Sequence, residues 1–335
     1  MKTNSLQNLL VTGGAGYVGA ELVPQLIRKG YRVKVLDLFL YGEDIFENRD
    51  LDYSQLELIK GDIRDQQLLK KSLVDVDAVI HLACISNDPS FDLNPNLGKS
   101  INLDAFRPLV EISKSAGVKR FIYASSSSVY GVKDEPNVTE EMKLDPLTDY
   151  SKFKAECEKI LAEYESESFT TVTVRPSTVM GYSHRQRLDV VVNILTNHAF
   201  HNRLIKVFGG QQLRPNIHID DMVELYLLLL EAPKDKIAGK IYNGGWENYK
   251  VEDIASIVKK VIGDDVKVEF VPTDDNRSYH VSSEKIKKEL GFVAQKSIED
   301  AVKDLQRAFK EGRLKNSFDE KKYYNIKTML DVELK

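Results

Sequence analysis

The sequence predicts an α/β fold, a doubly wound parallel sheet with a smaller mixed α/β lobe attached. Three observations carry this. Short β-type runs alternate with helical stretches through the first half, one apolar run passes through a glycine-rich turn straight into a helix, and the rhythm stops after Arg175. The chain has 335 residues, 42% of them hydrophobic and 29% charged, which suits an ordinary globule of about two domains.

Strands are expected over Asn8 to Thr12, Arg32 to Asp37, Leu56 to Lys60, Ala78 to Leu82, Arg120 to Ala124 and Thr171 to Arg175. Each is a short run rich in Val, Ile or Leu. Between them, helical patterns cover Val18 to Lys29, Gln66 to Val74, Asn94 to Ala116 and Asp149 to Ser166. Each pattern is long enough to cross the sheet, and such crossovers are right-handed. Beyond Arg175, Pro176, Pro215 and Pro233 punctuate the chain, and Glu252 to Ile262 and Glu284 to Leu290, the latter stopped by Gly291, read as helices. The division is therefore a sheet domain over 1–175 and a second lobe over 176–335, with the chain crossing between them more than once. The tail from Lys315 is mixed and charged, and its Tyr323 and Tyr324 imply partial packing.

Composition narrows the classes of function. A formal charge of −4 offers no basic surplus for a phosphate backbone, so nucleic acid is not an expected partner. Two cysteines, Cys84 and Cys157, have neither disulfide-framework nor metal-ligand spacing and suit a reducing compartment. The longest apolar run, Leu225 to Leu230, falls far short of the roughly 18 residues of a membrane span. Met1 to Asn8 lack the apolar core of a signal peptide, so a cytoplasmic protein without membrane association is expected. His198 and His201 have no third ligand nearby, and no metal is expected.

The chain from Leu9 runs into Thr12-Gly13-Gly14-Ala15-Gly16-Tyr17-Val18-Gly19 and then a helix. Gly14, Gly16 and Gly19 fit G-x-G-x-x-G, whose glycines make a tight turn, admit a pyrophosphate and let helix and strand pack closely. The positive end of the helix then faces the phosphates. Asp37 ends the second strand where an acidic residue receives the adenine ribose hydroxyls. Its charge repels a 2′-phosphate, and Leu38 to Tyr41 contain no arginine to bind one, so NAD is expected rather than NADP. This is the Rossmann-type arrangement.

The fifth strand leads into Ser125-Ser126-Ser127-Ser128-Val129-Tyr130-Gly131, and Tyr150 and Lys154 follow four residues apart at the start of a helical pattern. That spacing puts both on one helix face, where an ammonium favours the ionised phenol. A base working near neutrality needs such help, because a free tyrosine titrates near 10.

With these motifs the chain resembles the extended short-chain dehydrogenase/reductases, the NAD-dependent nucleotide-sugar epimerases and dehydratases, over nearly its whole length. The resemblance assigns Gly13, Gly16, Tyr17, Val18 and Gly19 to the cofactor turn, Asp62 and Ile63 to the adenine side, Leu82 and Ala83 to the segment after the fourth strand, and Asn102 to an active-site asparagine. It implies that Tyr150 takes a proton from a sugar hydroxyl while NAD takes hydride, that Lys154 lowers the Tyr150 pKa and binds the nicotinamide ribose, and that Ser126 holds the reacting oxygen. Val207 to Gly209, Arg214, His218 to Asp221 and Arg277 resemble the nucleotide-binding parts of the second lobe, and Asn193 the place of an amide on the diphosphate. It also implies a homodimer built on helices containing Leu103 to Val110 and Phe153 to Leu161.

Departures from the family pattern sharpen the expectation. Dehydratases of this kind carry a carboxyl pair where Ser127 and Ser128 stand here, and a hydroxyl cannot replace that acid and base. Redox at a sugar carbon, C4 by the resemblance, remains, with Ser127 and Ser128 beside the sugar. A 4-epimerase returns the hydride; a 4-dehydrogenase releases the ketone and reoxidises NADH with a second substrate such as a keto acid. A non-catalytic NAD-sensing protein is the reading from a different class. His184 and Arg187, in an unusual Gly181 to Asp189 segment, are candidate contacts for a nucleotide-diphosphate sugar.

Overall fold

The computed structural model describes residues 6–86, 88–133, 135, 137–273, 278 and 280–332. Its strands are β1 (Asn8–Thr12), β2 (Arg32–Asp37), β3 (Leu56–Lys60), β4 (Ala78–His81), β5 (Arg120–Ala124), β6 (Thr170–Pro176), β7 (Thr178–Met180), β8 (Leu204–Phe208), β9 (Leu213–His218), β10 (Lys240–Gly244), β11 (Glu247–Lys250) and β12 (Lys267–Val271). Its α-helices are α1 (Gly19–Arg28), α2 (Gln66–Ser72), α3 (Asp88–Asp92), α4 (Pro95–Lys99), α5 (Phe106–Ser115), α6 (Asp149–Ala162), α7 (Val191–Asn202), α8 (Ile219–Glu231), α9 (Lys234–Ile237), α10 (Val251–Ile262), α11 (Glu284–Leu290), α12 (Ile298–Lys310) and α13 (Asn325–Asp331).

Alternation of buried residues explains the sheet. On β1, Leu9 and Val11 face one side and pack under α1 and α8, while Leu10 faces the other with residues of α2, α5 and α6. A seven-stranded parallel sheet results, in the order β10-β6-β5-β4-β1-β2-β3. The chain winds outward from β1 to β3, then restarts at β4 on the other side of β1. That reversal leaves a crevice at the carboxyl ends of β1 and β4.

Two expectations need correction. The single helix expected over Asn94 to Ala116 is broken: Asn94 caps α4 through Leu97 N, a π-helical turn spans Ser100–Asp104, and only then does α5 begin. Wider turns of this kind re-aim side chains, and here Asn102 points inward. Residues 1–175 also do not hold the whole sheet. α8 packs on α1, and β10 pairs in parallel with β6 as an edge strand, so the chain returns to the sheet before residue 245, a further crossing of the kind expected, and the boundary at 175 alone is corrected. The proline-punctuated sequence hid that last βαβ unit.

The rest of the second lobe is mixed. It holds a three-stranded sheet (β11-β9-β7), a parallel pair (β8 with β12), and a core where α7, α10 and α12 pack together. Among the described residues, no helix is long and apolar enough to cross a membrane.

Candidate active site

A cavity of about 1030 Å³ opens in the crevice and runs into the second lobe. Gly13, Gly16, Tyr17, Val18 and Gly19 line one end. Gly13 has φ +72, and a Cβ there would stand 2.5 Å from the Ala83 amide nitrogen, so only glycine fits. A Cβ on Gly19 would stand 2.4 Å from the Gly14 carbonyl oxygen, which lets α1 begin directly against the turn. Asp37 lines the same end, its carboxylate accepting from Ala15 N at 2.9 Å and Phe39 N at 2.8 Å. Burial pushes its carboxyl up, and these amides oppose the rise. Asp62, Ile63, Leu82 and Ala83 complete this wall. Glycine turn, helix N-terminus and acidic strand end together fit a dinucleotide.

Asn102 is different. It does not line the cavity; its amide accepts from Ile85 N and donates to Ile85 O, both at 2.9 Å, and so holds the backbone next to Cys84. Its contact with the wall is indirect.

The serines follow from the end of β5. Ser126 caps a short 3₁₀ turn by accepting from Ser128 N, and its Oγ lies 2.9 Å from Ser128 Oγ. Ser126, Ser127, Ser128, Tyr150 and Lys154 all face the cavity. α6 starts at a Thr148/Ser151 capping box, which sets Tyr150 and Lys154 in the first turns on one side. Withdrawal from solvent pushes the Tyr150 phenol well above 10, and Cys84 and Asp88 add to the rise. The Arg187 charge and a hydrogen bond with Ser126 oppose it. Lys154 was expected to do so. Its ammonium instead donates to Ala124 O at 2.7 Å and lies 5.9 Å from the Tyr150 ring centroid.

Among the second-lobe candidates, Arg187 and Arg214 line the cavity and His184 and Asn193 do not. His184 sits outside, its Nδ1 2.9 Å from Glu21. Asn193 is wholly buried, and its amide is used by Gly181 N, Arg187 O and the Tyr17 hydroxyl, so it holds the loop rather than a ligand. Arg277 lies outside the described residues. His218 caps α8 through Asp220 N, and Asp221 accepts from Gln295 N and Lys296 N, so this stretch builds the lobe while Phe208 and Arg214 reach the cavity.

Sequence reasoning missed other wall residues. Asp88 accepts from the Thr148 hydroxyl at 2.5 Å beside Tyr150, and Ser177 and Thr178 come from the crossing between lobes. Arg185 is buried with its guanidinium 3.4 Å above the Tyr41 ring, near Asp37, brought there from a distant segment. Asn325 arrives from the tail. Chain distance concealed both.

Comparison with known proteins agrees with this geometry. The sequence is 27% identical over 316 residues to a UDP-glucose 4-epimerase from Lactobacillus helveticus, covering 88% of this chain and 94% of that one. The solved UDP-glucose 4-epimerase of Thermotoga maritima with UDP-glucose is similar at 26% identity, TM-score 0.81, over 91% of this chain and 99% of that chain. A dTDP-glucose 4,6-dehydratase from Streptomyces venezuelae, solved with NAD, is similar at 27% identity, TM-score 0.82, over 92% and 98%. The family model described as the NAD dependent epimerase/dehydratase family matches residues 9–245. With its glycine turn, its serine, tyrosine and lysine on one cavity and this match over most of its length, the chain belongs to the NAD dependent epimerase/dehydratase family.

Proposed function

We propose that the protein is an NAD-dependent nucleotide-sugar 4-epimerase that oxidises the sugar at C4 and returns the hydride. One observation carries the reading: Ser126, Tyr150 and Lys154 face a single cavity whose adjoining positions, Ser127 and Ser128, carry hydroxyls where elimination of water needs a carboxyl acid and base. Of the carboxylates on that wall, Asp88 is tied to Thr148 and Asp189 to Arg187. The UDP-glucose 4-epimerases among its relatives support the same direction.

Bound NAD supplies the hydride acceptor and donor. Tyr150 Oη takes the proton from the C4 hydroxyl and gives it back on the other face of the ring. Ser126 Oγ holds the reacting oxygen, and Lys154 braces α6 against β5 while facing the nicotinamide ribose. Arg187 and Arg214 take the diphosphate of a nucleotide sugar. The enzyme works as a homodimer across the outer faces of α5 and α6, in the cytoplasm.

The test is to denature purified protein, identify the released nucleotides and screen nucleotide sugars. A C4 epimer with NAD unchanged supports the reading. A released ketone with NADH left bound makes the protein a 4-dehydrogenase, and no turnover with bound NAD makes it a sensor.

A further inference from the structure

The tail beyond residue 310 lies past the matched family region, yet it reaches the cavity. Leu188 N donates to Tyr323 O at 2.8 Å, and Leu188, Leu305, Phe309, Leu314 and Tyr323 form a small core of their own. Tyr324 donates to Ser317 O at 2.8 Å, and Ser317 donates to Asn197 at 2.7 Å. The segment is thereby fastened to the second lobe, and α13 then crosses to α3 with Asn325 and Met329 in the cavity wall.

Asn325 is 2% exposed and spends three polar groups on two wall segments, one at Ser86 and one at 185–189. Its side-chain oxygen accepts from Arg185 at 2.6 Å, its side-chain nitrogen donates to Ser86 Oγ at 2.7 Å, and its backbone N–H donates to Asp189 Oδ2 at 2.9 Å. The other Asp189 oxygen accepts from Arg187 Nε at 2.5 Å. Arg185 lies near Asp37 on the dinucleotide side; Arg187 acts on Tyr150. Arg185 Nε is buried without a hydrogen-bond partner among the described residues, so the guanidinium is held by Asn325 and by the Tyr41 ring.

We propose that segment 315–332 is a working part of the active site and that Asn325 is the positioning residue through which it fixes Arg185 and Arg187 against the cavity. The Tyr150 part of this rests on the catalytic reading above; the clamp itself does not. The groups facing Tyr150 are Cys84, Asp88, Ser126, Lys154 and Arg187, and Arg187 is the one whose place depends on the tail.

Two variants separate the links. Asn325→Ala loses the side chain and keeps the N–H to Asp189. Asn325→Pro loses both, at the first position of α13, where proline fits after the extended Tyr324. Asn325→Ala is expected to speed hydrogen exchange across residues 181–189 about tenfold and weaken NAD binding about tenfold, with the sheet core unchanged. Asn325→Pro is expected to add a further fall of about tenfold in kcat at neutral pH, recovered at higher pH because the limb for the tyrosine base moves up. Should the proline variant fold poorly, Asp189→Asn carries the test, since it replaces by a donor one of the two oxygens that accept from Arg187 Nε and the Asn325 N–H, and it must reproduce the limb shift. Unchanged exchange at 181–189 with unchanged NAD affinity, or a limb that does not move in Asn325→Pro or Asp189→Asn, overturns the proposal. If wild type turns over no nucleotide sugar, the catalytic reading fails by itself, and the exchange and NAD-binding results still decide the clamp.

Discussion

Lys154 donates to the carbonyl oxygen of Ala124 at 2.7 Å, joining the start of α6 to the end of β5. Tyr150 and the serine run thus sit on two elements locked by the lysine between them. Lys154 is 4% exposed, and its ammonium also lies 5.1 Å from the Tyr123 ring centroid, where a cation is favoured. Lys154→Met, which keeps the stem and removes the charge, is expected to lower kcat by about 10² to 10⁴. Steady-state kinetics beside a melting curve check it, because the loss must exceed any change in folded fraction.

The Arg175 guanidinium pairs with Glu158 at 2.7 Å, with both side chains under 5% exposed, and Glu158 also accepts from the Ser125 hydroxyl at 2.5 Å. Glu158→Gln leaves a buried guanidinium uncompensated and is expected to cost about 3–5 kcal/mol of stability. Urea unfolding followed by fluorescence measures it.

His81 is buried against Phe106 and Tyr123, with Nδ1 2.6 Å from Thr12 Oγ1. Burial, with Lys154 adding, pushes its pKa down to about 3. The unfolded chain therefore binds a proton below about pH 6.5 that the folded chain refuses. Stability from this group is complete above that pH and is lost as pH falls toward 3, by up to about 1.4 kcal/mol per pH unit. Unfolding free energies at pH 7 and pH 5 for wild type and His81→Gln are expected to differ, with the variant showing the smaller acid loss.

Gly13→Ala forces a side chain into a φ of +72 and against the Ala83 backbone. NAD affinity is expected to fall at least tenfold, read by calorimetric titration of nucleotide-free protein.

Local physics made much of this legible. Buried parallel strands read as continuous apolar runs, and five of the six expected strands differ from the observed ones by no more than one residue at an end, the sixth by one at each. The glycine turn and the Tyr150/Lys154 spacing are local too, so sequence placed them on the cavity. What stayed hidden was long-range. The Asn102 break depends on a wide turn that no periodicity announces, and β10 joins the sheet only after a second lobe intervenes. Asn193 was expected at a ligand because its chain neighbourhood is right, yet its amide is consumed by Gly181, Arg187 and Tyr17. Asn325 had no signal at all, since its partners Ser86, Arg185 and Asp189 are brought to it by the fold.

The most direct test mixes NAD-loaded wild type and Tyr150→Phe with each nucleotide sugar and follows absorbance at the NADH band while the sugar is analysed for its C4 epimer. The account predicts epimer from wild type, with reduced cofactor appearing only within turnover, and rates at least about a hundredfold lower in Tyr150→Phe. Equal rates in the two proteins, or formation of a C4 epimer from no nucleotide sugar, would contradict it.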